Sequence, residues 1–263
     1  GNQVYSVNVL TGQMQVEQEL SAPNTGDGFT SIADMDGDGD LDGVVVRLQG
    51  SIGQVFIWDL QTDNLLAPIF EVMTASAGCC GRVSSHPSLA DVNNDQRPDI
   101  IFANVNSIWA LTLSSTGIIQ PLWTLPTQDI SATTGAITFD FQGDGISEVV
   151  YRDETTLYIL NGLTGAVLWE FPCLSNTGIE YPTIGDVDND GETELLCSCN
   201  NALIAFGSAS ASWPRTRPVW NQQFFFNVNI NDDLSIPQQQ QSHHLIQDAP
   251  LFNSFLNPYY YSE

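Results

Sequence analysis

The sequence predicts an all-β chain folded as a β-propeller, with blades of four antiparallel strands. Three observations carry this. A nine-residue acidic segment recurs four times, its first positions 57, 49 and 46 residues apart; an apolar, β-branched run follows each copy; and no stretch has the spacing of an amphipathic helix. Units of about fifty residues holding several short strands have the size of propeller blades.

The four segments are Asp34-Met-Asp-Gly-Asp-Gly-Asp-Leu-Asp42, Asp91-Val-Asn-Asn-Asp-Gln-Arg-Pro-Asp99, Asp140-Phe-Gln-Gly-Asp-Gly-Ile-Ser-Glu148 and Asp186-Val-Asp-Asn-Asp-Gly-Glu-Thr-Glu194. A short lead-in precedes the segments, such as Pro87-Ser-Leu-Ala90 or Pro182-Thr-Ile-Gly185. The exits are Val44-Val-Val46, Ile100-Ile-Phe102, Val149-Val-Tyr151 and Leu195-Leu-Cys197, and these read as strands. A second strand follows in each unit: Val55–Trp58, Ile108–Leu111, Leu157–Leu160 and Ala202–Phe206.

The ends of the chain depart from this unit. Residues 4–12 match the second half of a repeat and lack the first half, so 1–20 reads as a half blade and the whole as part of a larger ring. The blades are expected over 1–212. From Trp213 the pattern turns irregular, through Trp213-Pro214, Phe224–Phe226, the glutamines 238–241 and Tyr259–Tyr261. Residues 213–263 are therefore expected to be a C-terminal extension or the start of a following module, with a linker at the glutamines.

The acidic segments point to a hard cation. Side-chain oxygens at positions 1, 3, 5 and 9 and a carbonyl at 7 can surround one ion, and an all-oxygen set suits Ca²⁺. The candidate ligands are Asp34, Asp36, Asp38, Asp40 and Asp42 in the first loop, and Asp91, Asn93, Asp95, Arg97 and Asp99 in the second. In the third they are Asp140, Gln142, Asp144, Ile146 and Glu148, and in the fourth Asp186, Asp188, Asp190, Glu192 and Glu194. The position-7 residues Asp40, Arg97, Ile146 and Glu192 serve through their carbonyls. Up to four Ca²⁺ are expected.

Glycine at position 6 (Gly39, Gly145, Gly191) permits a positive φ, and Gln96 takes its place in the second loop. Asn93 and Gln142 each replace a carboxylate with a neutral amide. The first and fourth loops are therefore expected to bind more tightly than the other two. An EF-hand is excluded because position 12 is Val45, Phe102, Tyr151 or Cys197, with strands in place of helices.

Composition sets the remaining limits. The net charge is −25, from 31 acidic and 6 basic residues, which disfavours nucleic acid and anionic membranes as partners. No apolar run is long enough to cross a membrane as a helix, so no membrane insertion is expected. The five cysteines, Cys79, Cys80, Cys173, Cys197 and Cys199, lack zinc-site spacing and are disulfide candidates. A bridge from Cys173 to Cys197 or Cys199 is expected, and the odd count leaves a thiol or an outside partner. Weak extracellular calcium sites and disulfides together place the chain outside the cell or on its surface.

With these loops and flanks, residues 1–210 resemble the FG-GAP (integrin α-like, VCBS) repeat family, although the literal Phe-Gly and Gly-Ala-Pro signatures are absent. The resemblance implies a β-propeller with calcium loops at blade hairpins and a partner bound at an end face. The segment with Trp213-Pro214 and Val219-Trp220-Asn221 is similar to those following such propellers in very large bacterial surface adhesins. A noncatalytic module for adhesion or scaffolding is thus expected, with a protein or glycan ligand at a propeller face and other domains of the same polypeptide as partners.

Two enzyme classes compete. Thr164-Gly-Ala-Val-Leu-Trp169 resembles the tryptophan strand of quinoprotein dehydrogenases, some of which carry a vicinal disulfide as Cys79-Cys80 would form. A propeller-based polysaccharide lyase or hydrolase is the other. Of the three histidines, His86 reads as a turn or core residue and His243 and His244 as solvated, with no catalytic spacing. Trp58, Trp109, Trp123 and Trp169 read as blade packing rather than a sugar platform.

Overall fold

The computed structural model describes residues 3–8, 10–19, 28–49, 52–73, 84–175, 180–210, 212–239, 241–245 and 253–258. These form a run of antiparallel sheets. The first is a hairpin of β1 (Gln3–Asn8) and β2 (Gln13–Glu19). The second holds β3 (Gly28–Ala33), β4 (Asp42–Gln49) and β5 (Ile52–Asp59), with the short β6 (Asn64–Leu65) and β7 (Phe70–Met73) both paired to β5.

Two regular four-stranded blades follow. One contains β8 (Ser88–Ala90), β9 (Asp99–Asn104), β10 (Ser107–Leu113) and β11 (Ile119–Pro126); the other β12 (Ile137–Phe139), β13 (Glu148–Arg152), β14 (Thr156–Leu160) and β15 (Val167–Pro172). The last sheet has β16 (Thr183–Gly185), β17 (Glu194–Cys199) and β18 (Ala202–Phe206). It has three strands among the described residues where the repeat predicts four. Beyond Phe206 the chain meets Pro214 and Pro218, which cannot supply the N–H groups of a paired strand.

The apolar exit runs of the two regular blades are continuous because those blades are covered on both faces. Alternate residues of β9 show this: Ile100 and Phe102 join the core shared with the preceding sheet, and Ile101 and Ala103 join the core shared with the next. In that next core, Val149, Tyr151 and Leu160 meet Ile108, Ala110 and Trp123. A third core lies between the last two blades and includes Phe225 and Leu256 from the C-terminal segment, both 0% exposed. Residues 212–258, where described, are thus folded against the blades.

That segment is irregular, with one 3-10 turn at His243–Leu245. Arg217 fixes its shape, donating to Asn227 O at 2.5 Å and Ile230 O at 2.8 Å and pairing with Asp232 at 2.6 Å. Its end reaches the innermost strands. Phe255 and Leu89 exchange backbone hydrogen bonds of 2.8 and 3.0 Å, and Thr138 N donates to Leu256 O at 3.1 Å.

A disulfide joins Cys173, just after β15, to Cys199 at the end of β17, tying the fourth sheet to the fifth. Asn200 reinforces the join by accepting from Leu174 N and donating to Pro172 O, each at 3.0 Å. Cys197 is the free, buried thiol among the described residues. Cys79 and Cys80 lie outside the described residues.

Candidate metal centres

All four acidic segments occupy the same place, the turn from the innermost to the second strand of a blade: β3–β4, β8–β9, β12–β13 and β16–β17. Backbone geometry explains the composition. Position 6 has positive φ in every loop (Gly39 94°, Gln96 69°, Gly145 88°, Gly191 90°), and so does position 4 (Gly37 79°, Asn94 63°, Gly143 69°, Asn189 61°). Two left-handed residues two apart curl the chain so that its amides point inward. The signal for position 4 in the sequence is the series Gly37, Asn94, Gly143 and Asn189, residue types that enter the left-handed region most readily.

The inward amides hold the carboxylates. Asp34 Oδ1 accepts from Gly37 N at 2.7 Å and its Oδ2 from Gly39 N at 2.9 Å; Asp91 and Asp140 repeat this with the residues at their own positions 4 and 6. The position-9 carboxylate accepts from the N–H of position 2 in every copy, Met35 to Asp42, Val92 to Asp99, Phe141 to Glu148 and Val187 to Glu194, at 2.8 to 3.1 Å. The position-5 carboxylates Asp38, Asp95, Asp144 and Asp190 each accept from the N–H of position 7 at 2.8 to 3.0 Å.

The first and fourth loops gather oxygen for a cation. Asp34, Asp36 and Asp42 each place one carboxylate oxygen within 4.8 Å of the others, and Asp186, Asp188 and Glu194 do the same. Asp38 and Asp190 stand outside these trios. In the fourth loop Asp186 Oδ1 is buried with no hydrogen-bond partner among the described residues, an acceptor open to a cation. Burial, with Asp36, Asp59 and Asp34 nearby, pushes Asp42 up to about 7. Glu194 is raised as well, by burial first and then by the Asp188, Asp190 and Asp186 charges. A divalent ion would relieve this crowding, so the donor sets fit Ca²⁺.

In the second and third loops an amide points inward instead. Asn93 Nδ2 and Gln142 Nε2 each donate at 3.0 Å to the position-9 carboxylate, Asp99 or Glu148. These carboxylates are also raised, by burial, to about 8 and about 7. The Arg97 side chain adds a positive charge 3.6 Å from Asp95. Ligation there requires the amide to turn its oxygen inward, so these two loops fit the ion less well.

The remaining sequence candidates have structural surroundings. His86 packs between Phe29 and Phe224. His243, expected in solvent, is 2% exposed and lies edge-on to Phe226, because the C-terminal segment folds back on the blades. His244 is half-buried, its Nε2 3.1 Å from Gly39 O. Trp58 and Trp123 are buried in blade packing. The Thr164-Gly165 pair forms the β14–β15 turn, where Thr164 Oγ1 donates to Asn161 at 2.7 Å.

Residues 91–151, containing the second and third loops, match the family described as FG-GAP-like repeat. The chain carries an FG-GAP-like repeat on a β-propeller scaffold. Among solved structures, the V. cholerae biofilm matrix protein Bap1 superposes with a TM-score of 0.53 at 17% identity, over 98% of this chain and 42% of that one. Saccharomyces cerevisiae Sqt1 gives 0.50 at 14% identity, over 80% of this chain and 53% of that one. The chain thus spans about half, or less, of the length of these structures. At such identities the likeness is one of fold. No curated protein matches the chain by sequence.

Proposed function

We propose that this chain is a calcium-stabilised, noncatalytic propeller module serving adhesion or scaffolding outside the cell or on its surface. The observation that carries the reading is the convergence of Asp34, Asp36 and Asp42, and of Asp186, Asp188 and Glu194, at equivalent blade corners. Holding three carboxylates together in a partly buried turn is unfavourable without a counter-charge, and these loops supply no basic side chain of their own. Calcium bound at the corners would fix the strands on either side of each, leaving the propeller faces to a partner.

Several features support an extracellular setting and partner. Weak calcium sites fill at the millimolar calcium found outside cells, and the Cys173–Cys199 bridge suits an oxidising compartment. The ligand is a protein or a glycan at a propeller face, and a cavity of about 410 Å³ between the fourth and fifth sheets, lined by Trp169, Phe206, Trp213 and Phe141, offers one place for it. Other domains of the same polypeptide are the further partners.

The test is thermal melting and limited proteolysis with and without a chelator. Calcium should raise the melting temperature and protease resistance reversibly; unchanged values in both assays reject the reading. Cleavage of a polysaccharide by the purified chain would favour the lyase or hydrolase alternative instead.

A further inference from the structure

Each of the first three loops follows an innermost strand whose backbone meets the C-terminal segment. Phe255 pairs with Leu89, two residues before Asp91, and Leu256 accepts from Thr138, two residues before Asp140. At the first loop the contact is at the ligand residue itself and comes from a side chain. Asp34 N donates to Asn253 Oδ1 at 2.8 Å, and Asn253 Nδ2 donates to Asp34 O at 2.6 Å. Both bonds are buried.

A carboxamide is the side-chain group that presents a donor and an acceptor side by side, as a peptide does, so Asn253 binds the Asp34 main chain as a neighbouring strand would. The carboxylate of Asp34 in turn receives Gly37, Asp38 and Gly39 N–H groups and belongs to the converging trio with Asp36 and Asp42. Fixing the Asp34 backbone therefore fixes the pivot of the loop. His244 reaches the same loop from another part of the segment, at Gly39 O.

We infer that Asn253 is a positioning residue of the first cation loop, so that this site is assembled from segments 219 residues apart in the chain. The inference rests on the reading of that loop as a calcium site. With Asn253 docked the loop is held in its binding shape before the ion arrives, and less ordering remains to be done on binding. Loss of the clasp should weaken the first site and spare the fourth, whose contacts with the C-terminal segment run through Thr193 and Glu192.

Two measurements on the full chain test this. Amide exchange in chelator should be about tenfold faster at Asp34 in Asn253→Ala, with the Asp186 amide unchanged; Asn253→Gln, which keeps the amide but displaces it, should act alike. Calorimetric calcium titration should then find one site weakened about tenfold, and Asn253→Ala should add nothing in an Asp36→Asn background. A variant that titrates like the wild type, or loses all sites equally, overturns the inference. Faster exchange at Asp34 in Asn253→Ala, together with no calcium uptake by the wild type, would leave the clasp standing and reject the calcium reading, and the positioning role with it.

Discussion

Trp123 Nε1 donates to the carbonyl of Gly162 at 2.6 Å, a hydrogen bond from the outer strand of one blade to the hairpin turn of the next. The Trp123 ring covers the same turn at Gly165, where φ is +69° and an added Cβ would lie 2.6 Å from the ring. Two demands converge on one glycine: a left-handed backbone and room for a neighbouring indole. Gly165→Ala should therefore lower stability by about 3 kcal/mol, combining left-handed strain with overpacking. Urea unfolding would read it as a lower midpoint at unchanged slope.

Gln96 sits at φ +69° where the other three loops have glycine. Gln96→Gly should raise stability by about 1 kcal/mol, the left-handed penalty of a side chain less the added flexibility of glycine. The gain should appear equally in chelator and in calcium, since it belongs to the backbone.

Ligand chemistry separates the loops. Asp36→Ala and Asp188→Ala should each remove one calcium from the calorimetric stoichiometry. Each should also cut the calcium-dependent stabilisation by up to about 2.7 kcal/mol when the ion is at a hundred times its dissociation constant. Asn93→Asp, which replaces the inward amide donor with oxygen, should tighten the second loop about tenfold, on the order of 1.4 kcal/mol.

Cys197 is buried beside the Cys173–Cys199 bridge, and burial pushes its thiol up to about 11. It should resist alkylation at neutral pH in the folded chain and react on unfolding, read by mass spectrometry. Replacing Cys173 and Cys199 with serine should lower stability by about 3 kcal/mol, through release of a short loop in the unfolded chain.

Burial lowers His86 to about 4 and His243 to about 4, and His86 Nδ1 and His243 Nε2 find no hydrogen-bond partner among the described residues. A histidine whose folded pKa lies below its unfolded value of about 6.5 takes up its proton more readily once unfolded. Its contribution is therefore complete above pH 6.5 and is lost as pH falls toward 4. The wild type should lose more stability over that window than His86→Phe, measured by urea unfolding at each pH.

The sequence by itself determined the blade unit. The four acidic turns, the apolar runs after them and the period between them are local signals, set by backbone curvature and by burial of the strands, and β4, β9, β13 and β17 begin at the ninth loop residue, one or two residues before those runs. The approach of positions 1, 3 and 9 in the first and fourth turns was legible too, since alternate residues of a tight loop share one side; the inward amides of Asn93 and Gln142, and the place of Asp38 and Asp190 outside those trios, were not. Only the tertiary structure decided what depends on residues distant in the chain. It chose Cys199 over Cys197 as the partner of Cys173, and it folded the described residues of the C-terminal segment onto the blades, burying His243. It also brought Asn253 to Asp34. These pairings are fixed by packing between sheets, and packing carries no periodic trace in the sequence.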